Sequence, residues 1–327
     1  MNKVARNILV AIILIAAAYV AGFYLTPLSR PTIGVTFNAD YSRFLGQNPD
    51  EVLKKIMDGW KFKYLRLSVP WNQVEPTPGV YDFSETDKFL SEAQKRGVKV
   101  TLALGQKTPR WPECHTPAWA DKLSDQEFQA ALEKYMTKTV EHFRNNPALE
   151  IWQVENEPFL DFGICRPETK ENFAAELALV KNLDPKHPRL VTDSGELSSW
   201  RATAKAGEYF GSTMYRVVWN KLTGYWNYDW LSPWFYRIKL ALSGRAESSA
   251  FISELQAEPW LPNSDLNQSP LIEQYKSMNM ARLKKNIDYA RMTGFARVYL
   301  WGAEWWYYLD KKGEYSIPDF IKNLPKE

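Results

Sequence analysis

The chain reads as an α/β protein: a (β/α)8 TIM barrel preceded by a single N-terminal hydrophobic helix. Three observations carry that reading. After Pro31, eight short runs of β-branched and apolar residues each give way to an amphipathic segment, over about 295 residues. Alternation of this kind builds a parallel sheet, and eight units suffice to close it. The length of 327 residues suits one such barrel with extensions. No linker-like stretch divides residues 31–327. An open doubly wound sheet is the competing topology. It commonly carries a Gly-rich turn after its first strand, whereas here that strand runs into Asn38-Ala39-Asp40-Tyr41.

The first strand is predicted at residues 32–37 (TIGVTF). Its helix opens with Asn48 as N-cap, Pro49 at the first helical position and Glu51 completing a capping box. Residues 63–69 form the second strand, and residues 84–97 its helix, closed by Gly97. The third strand is 98–104. After a long loop, Ser124 and Glu127 make a second capping box for a strong helix over 124–147. The fourth strand is 149–155 (LEIWQVE), followed by a helix over 167–183. The fifth is 189–194, with a short helix near 200–207, and the sixth is 209–215, with a helix from 232. The seventh is 250–254, with a helix over 277–294; the eighth is 296–302, with a closing helix over 317–324. The long loops 105–123 and 216–231 have the length to wall an extended groove, which suits a polysaccharide.

Residues 1–30 form a separate unit. Lys3 and Arg6 precede an uncharged stretch from Ile8 to Leu25. Eighteen residues at 1.5 Å each give roughly 27 Å, close to the hydrocarbon thickness of a bilayer. The positive flank stays in the cytoplasm, which places residues 31–327 outside. The expectation is a single-pass membrane anchor acting through residues 8–25. The alternative is a cleaved signal peptide, for which Ala16-Ala17-Ala18 and Tyr19-Val20-Ala21 offer small-residue cleavage sites. Both readings export the barrel. Cys114 and Cys165 are the only cysteines. In an exported chain they either form a disulfide or remain two free thiols.

Without Lys3, Arg6 and Arg30 the chain has as many acidic as basic residues, 38 of each. No concentrated basic run is present, so no nucleic-acid partner is expected. His115, His142 and His187 are far apart, and no Ser-His pair or metal-ligand cluster stands out. No metal or cofactor is expected. Aromatic residues make up 14% of the chain, more than packing alone asks for, and suit flat sugar surfaces.

Active sites of such barrels lie at the C-terminal ends of the strands. Polar residues there include Asn38, Asp40, Gln106, Asn156, Glu157, Asp193, Glu196, Tyr215, Glu254 and Glu304, with Arg66 inside the second strand. Glu157 and Glu254 end the fourth and seventh strands and can face each other across the mouth. Two carboxylates so placed suit glycoside hydrolysis, in which one acid protonates the leaving oxygen and a second attacks the anomeric carbon or activates water. Glu155 should point away from the mouth, opposite to its neighbour.

The segment VENEPF (154–159) resembles the Asn-Glu-Pro motif of the clan A glycoside hydrolases, the cellulase-like (β/α)8 superfamily. The resemblance spans residues 32–315, including WNQVEPTPGVYDF after the second strand. It implies Glu157 as acid/base and Glu254, in FISELQAEPW, as nucleophile of a retaining double displacement on a β-linked oligo- or polysaccharide. It also implies Asn156 at the sugar 2-hydroxyl, Arg66 and Tyr215 on the nucleophile, and Trp301 under the sugar. Trp71, after the second strand, is a further candidate for sugar stacking. The usual Gly soon after the nucleophile is absent, which leaves Glu258 as a rival to Glu254. A transglycosylase would use the same residues, and a non-catalytic glycan-binding barrel is the third reading.

Overall fold

A computed structural model describes residues 3–24, 28–263 and 265–326. Within the helix Lys3–Tyr24, the side chains at 15, 16, 18, 19, 21, 23 and 24 lie outside the description. The described residues hold ten strands: β1 Thr32–Thr36, β2 Tyr64–Ser68, β3 Lys99–Leu104, β4 Leu149–Val154, β5 Arg189–Asp193, β6 Tyr209–Met214, β7 Val217–Asn220, β8 Gly224–Asn227, β9 Ala250–Gln256 and β10 Arg297–Trp301. Eight of them close into a parallel barrel in the order β1-β10-β9-β6-β5-β4-β3-β2. β9 and β10 are therefore the seventh and eighth barrel strands. The predicted strands match these to within two residues at each end. β7 and β8 form an antiparallel hairpin inside the long sixth loop. Nothing in the strand alternation announces it.

Every barrel strand is buried along nearly its whole length. This is why the strands read as near-continuous apolar runs rather than as alternating ones. The helices bury one stripe against the sheet. Asp125–Phe143, for example, buries Phe128, Leu132, Tyr135, Met136, Val140 and Phe143. Its predicted capping box is formed by Ser124 and Glu127. Asn48 caps its helix and Pro49 stands at the first position, but Glu51 does not close a box; its carboxylate accepts from the Tyr307 hydroxyl instead. The short helix expected near 200–207 is a run of turns. Trp200 there has φ 64° and buries its indole, donating from Nε1 to Ser194 O at 2.8 Å. Tertiary packing of one large ring overrides a weak local preference.

The N-terminal segment forms the helix Lys3–Tyr24. Gly22 lies against the 232–234 segment, where a Cβ would come 2.7 Å from Ser232 Oγ. Val4, Ile8, Leu9, Val10, Ile12, Ile13, Leu14 and Val20 are exposed. Among the described residues, no helix is long and apolar enough to cross a membrane. The span expected over 8–25 runs into Leu25 and into side chains that lie outside the described residues.

Cys114 and Cys165 form a disulfide, joining the β3 and β4 loops across 51 residues of sequence. Closing a loop of that length removes about 4 kcal/mol of chain entropy from the unfolded state. Cys114→Ser with Cys165→Ser should lower the denaturant midpoint and steepen the slope, because the unfolded chain loses a cross-link and exposes more surface. Urea unfolding of the double variant beside the parent checks this.

Candidate active site

β4 ends at Val154, and Glu155-Asn156-Glu157 do not continue it. Glu155 and Glu157 have φ of 58° and 48°, a left-handed conformation that costs a non-glycine residue free energy. The turns send the two carboxylates to different places. Glu155 braces the β3 loop, accepting from the amides of Gln106 at 2.5 Å and Lys107 at 2.7 Å. Gly105 makes that approach feasible: its φ is 130°, and a Cβ would lie 2.0 Å from Glu155 Oε1. Glu157 accepts from the Thr213 hydroxyl on β6 at 2.9 Å, and its amide donates to Thr192 Oγ1 at 3.0 Å.

Glu254 lies within β9 and is held from two sides. Arg66 Nη1 donates to Oε1 at 2.8 Å and the Tyr215 hydroxyl donates to Oε2 at 2.8 Å. Arg66 is fully buried in β2. Its Nε donates to Gln153 Oε1 at 2.7 Å and its Nη2 to Asn156 Oδ1 at 2.8 Å. Asn156 Oδ1 also accepts from Thr192 Oγ1 at 3.1 Å and Gln153 Nε2 at 3.2 Å. Three donors on one oxygen fix the orientation of the amide. Its Nδ2 then faces Glu113 Oε2, at 3.1 Å.

The electrostatics separate the two carboxylates. Burial holds Glu157 well above the usual carboxylate range, and the neighbouring charges of Glu254 and Glu113 push it further. Glu113 is pushed up to about 7, by burial first and then by Glu254, against the pull of Lys107 and Arg66. Glu254 has a buried guanidinium and a phenol as its donors. One buried site thus holds a carboxyl that keeps its proton and a carboxylate supplied with donors.

Glu258, the rival to Glu254, belongs to a different cluster. It accepts from Arg110 Nη1 at 2.5 Å and from Trp301 Nε1 at 2.8 Å. The carboxylates that act on Glu157 are Glu254 and Glu113. Among the described residues, one group of ligand-type side chains is close enough to share an ion: Glu155, Glu168 and Glu176, within 4.8 Å of one another. Burial pushes Glu168 up to about 7 and Glu176 up to about 8, so shared protons already relieve their repulsion near neutrality.

Known glycosidases resemble this chain over part of its sequence and in its fold. A family model described as "Beta-galactosidase" matches residues 47–179. Beta-galactosidase BbgII of Bifidobacterium bifidum is 28% identical over 27% of this chain and 15% of its own length. A beta-1,4-xylanase of Dictyoglomus thermophilum is 31% identical over 28% of this chain and 24% of its own. The chain thus spans a quarter or less of these two relatives' length. Among solved structures, xylanase 10B of Thermotoga petrophila superposes with a TM-score of 0.54 and 17% identity, covering 84% of this chain and 82% of that one. GH5_18 of Streptomyces cattleya superposes with a TM-score of 0.56 and 13% identity, covering 84% and 71%. Residues 47–179 resemble those glycosidases in sequence, and the barrel resembles the cellulase-like (β/α)8 superfamily of clan A in fold.

In this barrel, Glu157, Glu254, Arg66, Asn156 and Tyr215 lie together at the mouth. Trp71 does not join them, which corrects the expectation that it stacks on sugar. It opens the short helix Trp71–Val74, fully buried, stacked on Tyr135 with centroids 5.6 Å apart, and its Nε1 donates to Glu75 Oε2 at 2.8 Å. The position after a strand end is shared by residues that face the mouth and residues that turn inward, and Trp71 turns inward. Trp301 stands at the tip of β10 as expected, but the Arg110 guanidinium lies 4.3 Å from its ring centroid. Asn156 directs its amide donor at Glu113, a residue the strand-end rule does not reach. Its signal was weak: a Glu beside Cys114, in a loop on the mouth side.

Five carboxyl groups are pushed to about 7 or 8, chiefly by burial: Glu113, Glu168, Glu176, Glu196 and Glu304. The native state therefore binds more protons than the unfolded one between the ordinary carboxylate range and about pH 8. Stability must fall as pH rises through that window. The melting temperature should be higher at pH 5.5 than at pH 8.5, a difference that calorimetry reads directly.

Proposed function

We propose that this barrel is a retaining glycoside hydrolase acting on β-linked glycans. Glu254 is the nucleophile and Glu157 the acid/base. The observation that carries the reading is the asymmetry of the pair: Arg66 and Tyr215 both donate to Glu254, while burial and the charge of Glu254 keep Glu157 protonated. In the first step Glu254 attacks the anomeric carbon, and Glu157 gives its proton to the departing oxygen. Bond formation to carbon neutralises Glu254. The charge that raised Glu157 is then gone, and Glu157 is free to take a proton from water as that water releases the sugar. Asn156, Tyr215 and Trp301 contact the sugar around the reacting carbon, and Arg66 holds Glu254 in place. A transglycosylase differs only in the acceptor at the second step.

The test is sugar release from β-glucans, mannans, xylans, galactans and aryl β-glycosides, with residues 31–327 beside Glu157→Gln and Glu254→Gln. The parent should act on at least one of them, each variant should lose nearly all activity, and the first-formed product should keep the β configuration by NMR. An α product, or an active Glu254→Gln with an inactive Glu258→Gln, sinks the assignment. The same assay carries a pH signature. Glu157 must enter protonated, so kcat/KM should fall on the alkaline side as the raised carboxyl ionises. Glu157→Gln should retain more activity on substrates with good leaving groups, and its remaining rate should lack that alkaline fall.

The proposal includes export of the barrel. The disulfide requires an oxidising compartment, and the basic, apolar N-terminal segment provides the means as an uncleaved anchor or a cleaved leader. Fractionation of cells expressing the whole chain, with mass analysis of the product, separates the two.

A further inference from the structure

The β3 and β4 loops are joined into one body. The disulfide Cys114–Cys165 links them. Gln106 Nε2 donates to Arg166 O at 2.9 Å, Lys107 Nζ to Leu160 O at 2.7 Å, and the Ile164 amide to Pro112 O at 3.0 Å. Gly163 lets them touch: its φ is 102°, and a Cβ would lie 2.7 Å from Pro112 O and from Glu113 Cβ.

This body crosses the barrel mouth and lands on the far side in two places. Arg110 reaches from the β3 loop to Glu258, which follows β9; in a ring of eight, those strands stand opposite each other. Its guanidinium lies 3.7 Å from the ring centroid of Tyr41, after β1, and 4.3 Å from that of Trp301, at the end of β10. Glu304 adds a second carboxylate at 3.5 Å. The other landing is aromatic. Trp111 meets Phe162 at 5.8 Å, Phe162 of the β4 loop meets Trp260 beyond β9 at 6.4 Å, and Trp260 packs edge-on to Tyr215 at 5.3 Å. Glu157 and Glu254 are only 7% and 4% exposed beneath it.

A polymer cut in its interior must pass the carboxylate pair on both sides. A span pinned by a partly buried guanidinium between two carboxylates and two rings closes one side. We infer that the stapled β3–β4 loops form an arch, pinned by Arg110, that restricts the site to chain ends, so that sugars are removed from a terminus. The inference rests on the hydrolase reading above. It gives loop 105–123 a different part from the expected one, in which it walls an extended groove together with loop 216–231.

The test uses the sugar class on which an aryl β-glycoside is turned over, presented as a hexasaccharide with a reducing-end fluorophore and as the corresponding soluble polymer. The parent should shorten the labelled chain stepwise from its free end and leave polymer viscosity unchanged while reducing sugar accumulates. Arg110→Ala and the milder Phe162→Ala should each raise the share of internal cuts. Because Arg110→Ala strands two buried carboxylates, Phe162→Ala, at a 41% exposed position, guards against mere misfolding. Early mid-length products with a fast fall in viscosity from the parent overturn the arch while leaving the hydrolase standing. So does a cleavage pattern identical in the parent and both folded variants. Silence on every aryl glycoside overturns the hydrolase reading, and the arch with it.

Discussion

Glu254→Ala loses about 10⁴- to 10⁶-fold in kcat, and azide returns part of the loss. The first half follows from the double displacement proposed above. On that reading the truncated side chain leaves nothing in Glu254's place to accept the anomeric carbon. The truncation also leaves Arg66 Nη1 and the Tyr215 hydroxyl as donors facing a small vacancy. Azide is an anion of the size that vacancy offers, and those donors provide it with a site. Attacking from the Glu254 side, it should give the α-glycosyl azide. In Glu157→Ala the vacancy lies on the opposite face of the sugar. Azide there should intercept the glycosyl-enzyme and give the β-glycosyl azide. The two products, separated by NMR, assign each carboxylate its side of the ring. A β-azide from Glu254→Ala would exchange the roles, and rescue of Glu258→Ala alone would move the nucleophile.

The parts of this site that are legible in the sequence are those fixed by strand position. A barrel strand carries its terminal residues to the rim whatever surrounds it, so Glu157, Glu254, Tyr215 and Trp301 are placed by counting strands. Arg66 is legible as a cation inside the second strand, and its place on Glu254 is what the resemblance implies. The remainder depends on contacts between segments far apart in sequence. Glu113 reaches Asn156 only because the β3 loop folds back over the mouth. Arg110 finds Glu258 148 residues away. Trp71 is decided by the Phe128–Tyr135 helix that receives it. In each case the local sequence permits several outcomes, and a distant partner selects one. The β7–β8 hairpin escaped for a different reason: a four-residue strand carries too few residues for a period to show.

Arg66→Met should destabilise the fold as well as silence the site, and the two effects have separable causes. The guanidinium is the sole cationic side chain that the structure places on Glu254 among the described residues, and both are buried. Removing one partner of a buried pair leaves the other charge without compensation, a cost of about 3–5 kcal/mol. Gln153 and Asn156 each lose a donor at the same time. The carboxyl has an escape that the guanidinium does not: it can take up a proton. The loss of stability in Arg66→Met should therefore shrink as pH falls and Glu254 becomes neutral. Activity cannot recover by that route, because a protonated Glu254 is no nucleophile. Chemical unfolding of Arg66→Met at pH 5 and pH 8, each beside the parent, reads the first effect; aryl glycoside turnover at the same two values reads the second. Adding Glu254→Gln should restore much of the stability at pH 8 and none of the activity, since the neutral amide needs no counter-charge. Equal destabilisation at both pH values, with no rescue by the second substitution, would mean that Arg66 matters to the fold through packing alone and does not hold the charge of the nucleophile.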